Sequence, residues 1–205
     1  VTGGRLHVMH VSTAGGVTLV RAAKARGARV TAEACPHHFT LTDESLRGFD
    51  ANFKMSPPLR TAADIDAIIA GLMDGTIDCI ATDHAPHARE KKMLELDRAP
   101  FGILGLETAV GLAVTRLVEP GRIGWPRLVE AMSTLPARIL GINRGTLRPG
   151  ALADITLIDP ALTWRVDAAA FASKSVNSPF HGWTLQGRAV ATIVAGRVKY
   201  RLGRG

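Results

Sequence analysis

Residues 79–87 read Cys-Ile-Ala-Thr-Asp-His-Ala-Pro-His, and the reading of this stretch decides the fold. A largely apolar run from Ile77 to Ala81 gives way to Asp83, with His84 next and His87 in the segment beyond. Such a run predicts a buried strand, Ile77–Thr82. The C-terminal ends of strands are where α/β barrels carry their chemistry. A carboxylate placed there can ligate a metal and take a proton from metal-bound water. The alternative is a turn with a helix-capping aspartate and surface histidines.

Working outward, residues 6–17 read Leu-His-Val-Met-His-Val-Ser-Thr-Ala-Gly-Gly-Val. They predict a strand Leu6–His10 and a helix over Gly15–Arg26, stopped by Gly27. Neutral imidazole is the commonest zinc ligand, and zinc sites often mix it with carboxylate, so His10 pairs naturally with Asp83. Because Cβ atoms alternate along a strand, His7 is expected to face away from His10. Residues 32–41 read Ala-Glu-Ala-Cys-Pro-His-His-Phe-Thr-Leu, after a short strand Ala28–Ala32. Adjacent residues of an extended chain point to opposite sides, so His37 and His38 read as structural or supporting groups. Asn52-Phe-Lys-Met-Ser-Pro-Pro-Leu-Arg60 reads as a rigid loop, since the Pro-Pro pair lacks amide hydrogens and enforces extended geometry. Ala99-Pro-Phe-Gly-Ile-Leu-Gly-Leu-Glu-Thr108 places Gly102 and Gly105, which allow close backbone approach, ahead of a helix.

Taken together and in this order, the segments HVST, EACPHH, KMSPPLR, DGTIDCIATDHAPH and PFGILGLET resemble dihydroorotases of the long, bacterial type, within the amidohydrolase superfamily. The resemblance implies an α/β fold: about strands 6–8 of a metal-dependent (β/α)8 TIM barrel over residues 1–144. A C-terminal share of a small β-sandwich would occupy residues 145–205. It implies closure of N-carbamoyl-L-aspartate to dihydroorotate, and the reverse, at a binuclear zinc centre, in pyrimidine biosynthesis. It implies that His10 is a ligand of the second zinc, and that Asp83 is a ligand of the first zinc and the general acid/base. It further implies that His87 binds the substrate carboxylate, and that the backbone of Phe101 and Gly102 contacts the ring. Ser56 falls where the family usually has a substrate-binding asparagine. A hydroxyl offers one donor where an amide offers two donors and an acceptor, so one substrate contact is weakened.

The family's His-x-His pair does not occur in these residues. The expectation is therefore a partial chain, the C-terminal part of a longer enzyme and inactive alone, or else a half-protein that works with a separate partner. Two other functions compete with the first. One is a related cyclic amidase of the allantoinase or hydantoinase type. The other is a non-catalytic dihydroorotase-like subunit supporting aspartate transcarbamoylase. His87 argues against the first alternative, and intact His10, Asp83 and His87 argue against the second. The expected partner is the small-molecule substrate, with a homo-oligomer or an aspartate transcarbamoylase partner as further expectations.

Composition sets broad limits. The chain has 205 residues and 46% hydrophobic content, enough for a core. No apolar run reaches the roughly 18 residues of a membrane span. Cys35 and Cys79 are isolated thiols, not a disulfide scaffold. The formal charge of +7 comes from scattered arginines and a small cluster at Arg197, Lys199, Arg201 and Arg204. This reads as a solvated surface, not a nucleic-acid interface. The expected location is cytoplasmic.

The remaining organisation follows from local signals. Thr61-Ala-Ala-Asp64 predicts a capping box, with Ile65, Ile68, Ile69 and Leu72 on one helical face up to Gly75. Residues 88–99 are charged and aperiodic and read as a mobile loop over the site. Helices are expected near Leu106–Val118, Pro126–Ser133 and Pro136–Gly141. Gly150–Pro160 reads as turn, strand, turn, and Val190–Val194 with Arg197–Tyr200 reads as a hairpin around Ala195-Gly196. Ser175–Trp183 is a loop with no catalytic assignment. In three dimensions His10 and Asp83 should project from the same end of neighbouring parallel strands, with their side chains about 4–7 Å apart.

Overall fold

A computed structural model describes residues 3–203. Val1 and Arg204 lie outside the described residues. Three short parallel strands form the first sheet: β1 (Leu6–Val8), β2 (Val30–Ala34) and β3 (Cys79–Ile80), in the order β1-β2-β3. Leu6 pairs with Val30, and Glu33 with Cys79. The expected order of elements is present, but the strand Ala28–Ala32 runs instead over Val30–Ala34 and the strand Ile77–Thr82 keeps ladder pairing only at Cys79–Ile80.

Helix α1 (Ala14–Ala25) starts at Thr13, whose hydroxyl accepts from the amide of Gly16. Helix α2 (Ala62–Asp74) starts at the expected capping box of Thr61 and Asp64 and ends at Gly75 in the left-handed region. Its Ile65, Ile68, Ile69 and Leu72 are buried against Val17 and Val20 of α1 and Ala32 and Ala34 of β2. Lys24 of α1 bonds the Asp78 carboxylate at 2.7 Å, and Asp78 in turn accepts from the amide of Ala32. A charged pair thus fixes the approach to β3 beneath this core.

A short helix α3 (Arg89–Lys92) interrupts the segment expected to be a loop. Helix α4 (Ala109–Ala113) runs on into a π-turn over Val114–Val118. The two separate helices expected beyond it are one continuous run: α5 (Trp125–Val129), a π-turn over Glu130–Thr134, and α6 (Leu135–Leu140). Pro136 lacks the amide hydrogen that a regular ladder needs, and just before it the amide of Leu135 reaches Glu130 five residues back.

The second sheet is antiparallel, in the order β4 (Ile155–Arg165), β5 (Thr184–Val194) and β6 (Arg197–Arg201). Strand β4 does not stop at Pro160 as expected. It passes through, because the register shifts between Asp159 and Thr163 and the missing proline donor falls in that irregular stretch. The hairpin turns at Ala195 and Gly196, both at positive φ (49° and 75°), as a two-residue turn of this hand requires. Leu185 of β5, with Val166 and Phe180, buries against Leu41, Met55, Leu59, Ile103 and Leu112 in a second core. Among the described residues no helix is long and apolar enough to cross a membrane. Arg197, Lys199 and Arg201 are exposed along β6.

Candidate active site

Two left-handed residues build the site. Strand β1 ends at Val8 and His10 follows at φ 53°, while β3 ends at Ile80 and Asp83 follows at φ 45°. A residue with a side chain costs on the order of 1–2 kcal/mol in that region, and such strain gathers at functional sites. His10 Nε2 lies 4.0 Å from Asp83 Oδ1. The separation matches the expected one, but the strands are not neighbours, because β2 lies between them. The backbone turns at both strand ends bring the side chains together across it.

At 4.0 Å the two groups are too far apart for a hydrogen bond. Zinc ligands stand about 2.0–2.2 Å from the ion, and the metals of a two-metal site about 3.5–4 Å apart, so donors at this separation can serve one ion each. The other ring nitrogen of His10, Nδ1, lies 3.2 Å from Glu33 Oε1. A carboxylate behind one imidazole nitrogen leaves the other nitrogen's lone pair for a cation. The donor set therefore fits zinc-class metal, with His10 and Asp83 as residues that would each hold one ion of a binuclear centre.

Glu33 also accepts from His7 Nε2 at 3.0 Å, and Thr31 Oγ1 lies 2.7 Å from His7 Nδ1. His7 and His10 thus share one carboxylate, contrary to the expected opposite facing. Alternation holds only along extended backbone, and the positive φ of His10 ends it. His84 serves the neighbouring backbone: its Nδ1 accepts from the amides of Gly105 and Leu106 at 3.2 and 3.4 Å.

The expected substrate-binding residues fall into a second group. His87 Nε2 donates to the Phe101 carbonyl at 2.7 Å. Gly102 has φ 146°, and a Cβ there would stand 2.7 Å from His87 Nε2 and from the Ala85 Cβ. Only glycine lets the loop lie this close to His87. Phe101 itself is 55% exposed, with the Lys54 ammonium 4.5 Å from its ring centre. Ser56 is exposed in the proline loop, and the carbonyl of the following Pro57 accepts from His38 Nε2 at 2.9 Å.

Three further residues fasten this group. Asn177 is 3% exposed. Its Nδ2 donates to the carbonyls of Ala85 (2.9 Å) and Gly102 (3.1 Å), and its Oδ1 accepts from the amide of His87 (3.1 Å). The segment Ser175–Trp183 thus reaches the site, which its loop-like sequence gave no sign of. Lys92 Nζ donates to the carbonyls of Pro100 and Gly102 at 3.0 and 3.1 Å. Lys54 Nζ donates to those of Leu96, Asp97 and Ala99 at 2.5, 3.1 and 2.7 Å. The segment expected to be a mobile flap is thereby pinned at both ends. Burial pulls the Lys92 ammonium down to a pKa of about 8, with the Lys54 charge adding to the effect and Asp50 opposing it.

Charge and the lack of periodicity alone marked residues 88–99 as a mobile loop, and no local signal separates Lys92 from its exposed neighbours. Glu33 carried a usable clue, as a carboxylate in a short strand whose other residues are uncharged. Neither cysteine is a ready nucleophile. Burial, then the Asp83 and Glu33 carboxylates, pushes the Cys35 thiol far above its usual range, and burial pushes Cys79 up to about 12.

Comparison with known proteins gives a consistent picture. Residues 2–199 match the Amidohydrolase family. The chain is 57% identical to a dihydroorotase of Geobacter sp. (strain M21), over 98% of this chain and 47% of that protein. It is 60% identical to a dihydroorotase of Pelotomaculum thermopropionicum, over 96% of this chain and 46% of that protein. Among solved structures, an L-hydantoinase (dihydropyrimidinase) from Arthrobacter aurescens superposes with a TM-score of 0.93 at 35% identity, covering 98% of this chain and 46% of that one. A D-hydantoinase from Thermus sp. gives a TM-score of 0.92 at 32% identity, over 99% and 46%. The chain spans about half the length of the curated relatives it matches.

Proposed function

Because this chain belongs to the amidohydrolase family, we propose that it carries part of the active site of a zinc-dependent dihydroorotase. The observation that carries this reading is the meeting of His10 Nε2 and Asp83 Oδ1 at 4.0 Å, with Glu33 behind His10. On this reading the parallel sheet contributes strands 6–8 of a (β/α)8 barrel, residues 1–144. Residues 145–205 contribute their share of a β-sandwich.

The reaction is hydrolysis of the ring amide of dihydroorotate to N-carbamoyl-aspartate, or its reversal. When bound, zinc supplies a Lewis acid that makes water nucleophilic near neutral pH. Asp83 would hold the first ion of a binuclear centre and His10 the second. As water oxygen bonds to the amide carbon, the Asp83 carboxylate accepts a water proton. As the C–N bond breaks, it returns that proton to the departing ring nitrogen. His87 binds the substrate carboxylate. With Nε2 donating to Phe101, its Nδ1 donates only when the ring is protonated. The backbone of Phe101 and Gly102 lies along the substrate ring, and the hydroxyl of Ser56 supplies a weaker contact than an amide.

The test uses the full protein. Asp83→Asn should lower kcat by about 10²–10⁴-fold, the usual worth of a positioned acid/base. His87→Ala should raise KM for dihydroorotate with little change in kcat. Near-normal turnover by Asp83→Asn would remove the acid/base role. Likeness to hydantoinase structures keeps a hydantoinase-type activity as the second reading. Turnover of dihydrouracil, which lacks the carboxylate, as fast as dihydroorotate would favour it.

A further inference from the structure

Residues 35–38, Cys-Pro-His-His, form a second cluster of metal-binding groups that the proposed hydrolysis does not use. The Cys35 sulfur and one ring nitrogen from each of His37 and His38 lie within 4.8 Å of one another. All three side chains are buried, and His37 is only 2% exposed. The tight 3₁₀ turn Pro36–Phe39 makes this possible, with the amide of His38 bonded to the Cys35 carbonyl at 2.9 Å. Cys35 caps this turn at its N-terminus, which keeps its sulfur beside the two histidines that the turn carries. The expectation that adjacent histidines face opposite ways assumed an extended chain, and this segment is helical. The two rings stand 4.3 Å apart, centre to centre.

The hydrogen bonds of the cluster are incomplete. His38 Nε2 donates to the Pro57 carbonyl, so its Nδ1 carries a lone pair. That atom, and Nε2 of His37, have no hydrogen-bond partner among the described residues. Each buried polar atom left unpaired costs about 1–3 kcal/mol. Water could relieve part of that cost. A cation suits the cluster better, because the third member is a thiol, a weak hydrogen-bond former and a strong ligand for zinc-class metals. The Asp83 and Glu33 carboxylates act on Cys35 through space, and their negative field favours a positive ion there. Cys35 Sγ also lies 3.5 Å from His10 Nδ1, so the cluster sits directly behind the proposed catalytic ligand.

We propose that Cys35, His37 and His38 form a separate, buried site for a zinc-class divalent cation, backing the His10–Asp83 pair. Binding releases the Cys35 proton to solvent and leaves three protein donors on the ion. The inference does not rest on the proposed hydrolysis, and its test reads metal, not turnover.

The full protein is stripped with a chelator and titrated with cobalt(II). The His10–Asp83 pair offers only nitrogen and oxygen, so a near-ultraviolet sulfur-to-cobalt charge-transfer band reports thiolate ligation. The band should form in the wild type and in Cys79→Ser, and should be absent in Cys35→Ser, with a lower cobalt-to-protein ratio. His38→Gln should weaken the affinity read from the band by more than about 100-fold, since even outer partners of a ligand are worth about 10–100-fold. Circular dichroism checks the fold. Should Cys35→Ser fail to fold, Cys79→Ser and His38→Gln decide. No band in folded wild type, a band that survives in Cys35→Ser, or an unweakened one in His38→Gln would overturn the proposal.

Discussion

Glu33 has two jobs, and a single substitution separates them from mere packing. Its carboxylate reaches His7 with one oxygen and His10 with the other. Glu33→Gln keeps the volume and removes the charge. The full protein should then bind metal at the His10–Asp83 pair about 10–100-fold more weakly, with an unchanged circular dichroism spectrum. Competition against a chelator measures this, and unchanged affinity would leave Glu33 a structural role only. Lys92 makes a pH prediction. Its folded pKa of about 8 lies below the ordinary lysine value of 10.5, so the unfolded chain binds more protons between those limits. Stability from this group therefore rises with pH from 8 to 10.5 and is lost as pH falls back through 8. Relative to Lys92→Met, the wild type should gain on the order of 2 kcal/mol across that window, read as the difference in denaturant midpoints.

Among elements, the segment Ser175–Trp183 ties the two halves of the chain at the site. Asn177 holds Ala85, His87 and Gly102 by three hydrogen bonds. Asn177→Ala should cost about 1–3 kcal/mol of stability, because the half-buried Ala85 carbonyl and the His87 amide lose their partner and the buried Gly102 carbonyl keeps only Lys92. It should also raise KM for the substrate more than it lowers kcat, since His87 and Gly102 move together while Asp83 is untouched. Asn177→Asp should be worse than Asn177→Ala, because it turns a carboxylate toward two carbonyl oxygens. Equal stability of the two variants, by thermal denaturation, would argue that Asn177 merely fills space.

For the molecule as a whole, the outer edges of β1 and β3 carry no further strand among the described residues. Leu6, Met9 and Leu19 are largely exposed near β1 and α1. Open strand edges and exposed apolar groups promote association. A polypeptide of residues 1–205 by itself should therefore associate with rising concentration, by light scattering, and should not turn over dihydroorotate with zinc added. A monodisperse monomer with one sharp thermal transition would show that these residues form a self-sufficient fold.

The sequence alone determined what is local. The Thr61–Asp64 capping box, the buried face of α2, the stop at Gly75 and the turn at Ala195-Gly196 all follow from neighbours within a few residues. So did the resemblance to dihydroorotases, because its motifs are short and contiguous, and His10 and Asp83 stood out as polar groups ending apolar strands. Tertiary structure alone decided what meets what. His7 turned toward Glu33 because His10 leaves the extended conformation, which no periodicity reports. Asn177 reached His87 across 90 residues of chain. Lys92 was buried by the loop carbonyls it holds. Backbone propensity acts over a turn or two, whereas a buried polar group must find its partner wherever packing brings one, and that distance is not written in the order of residues.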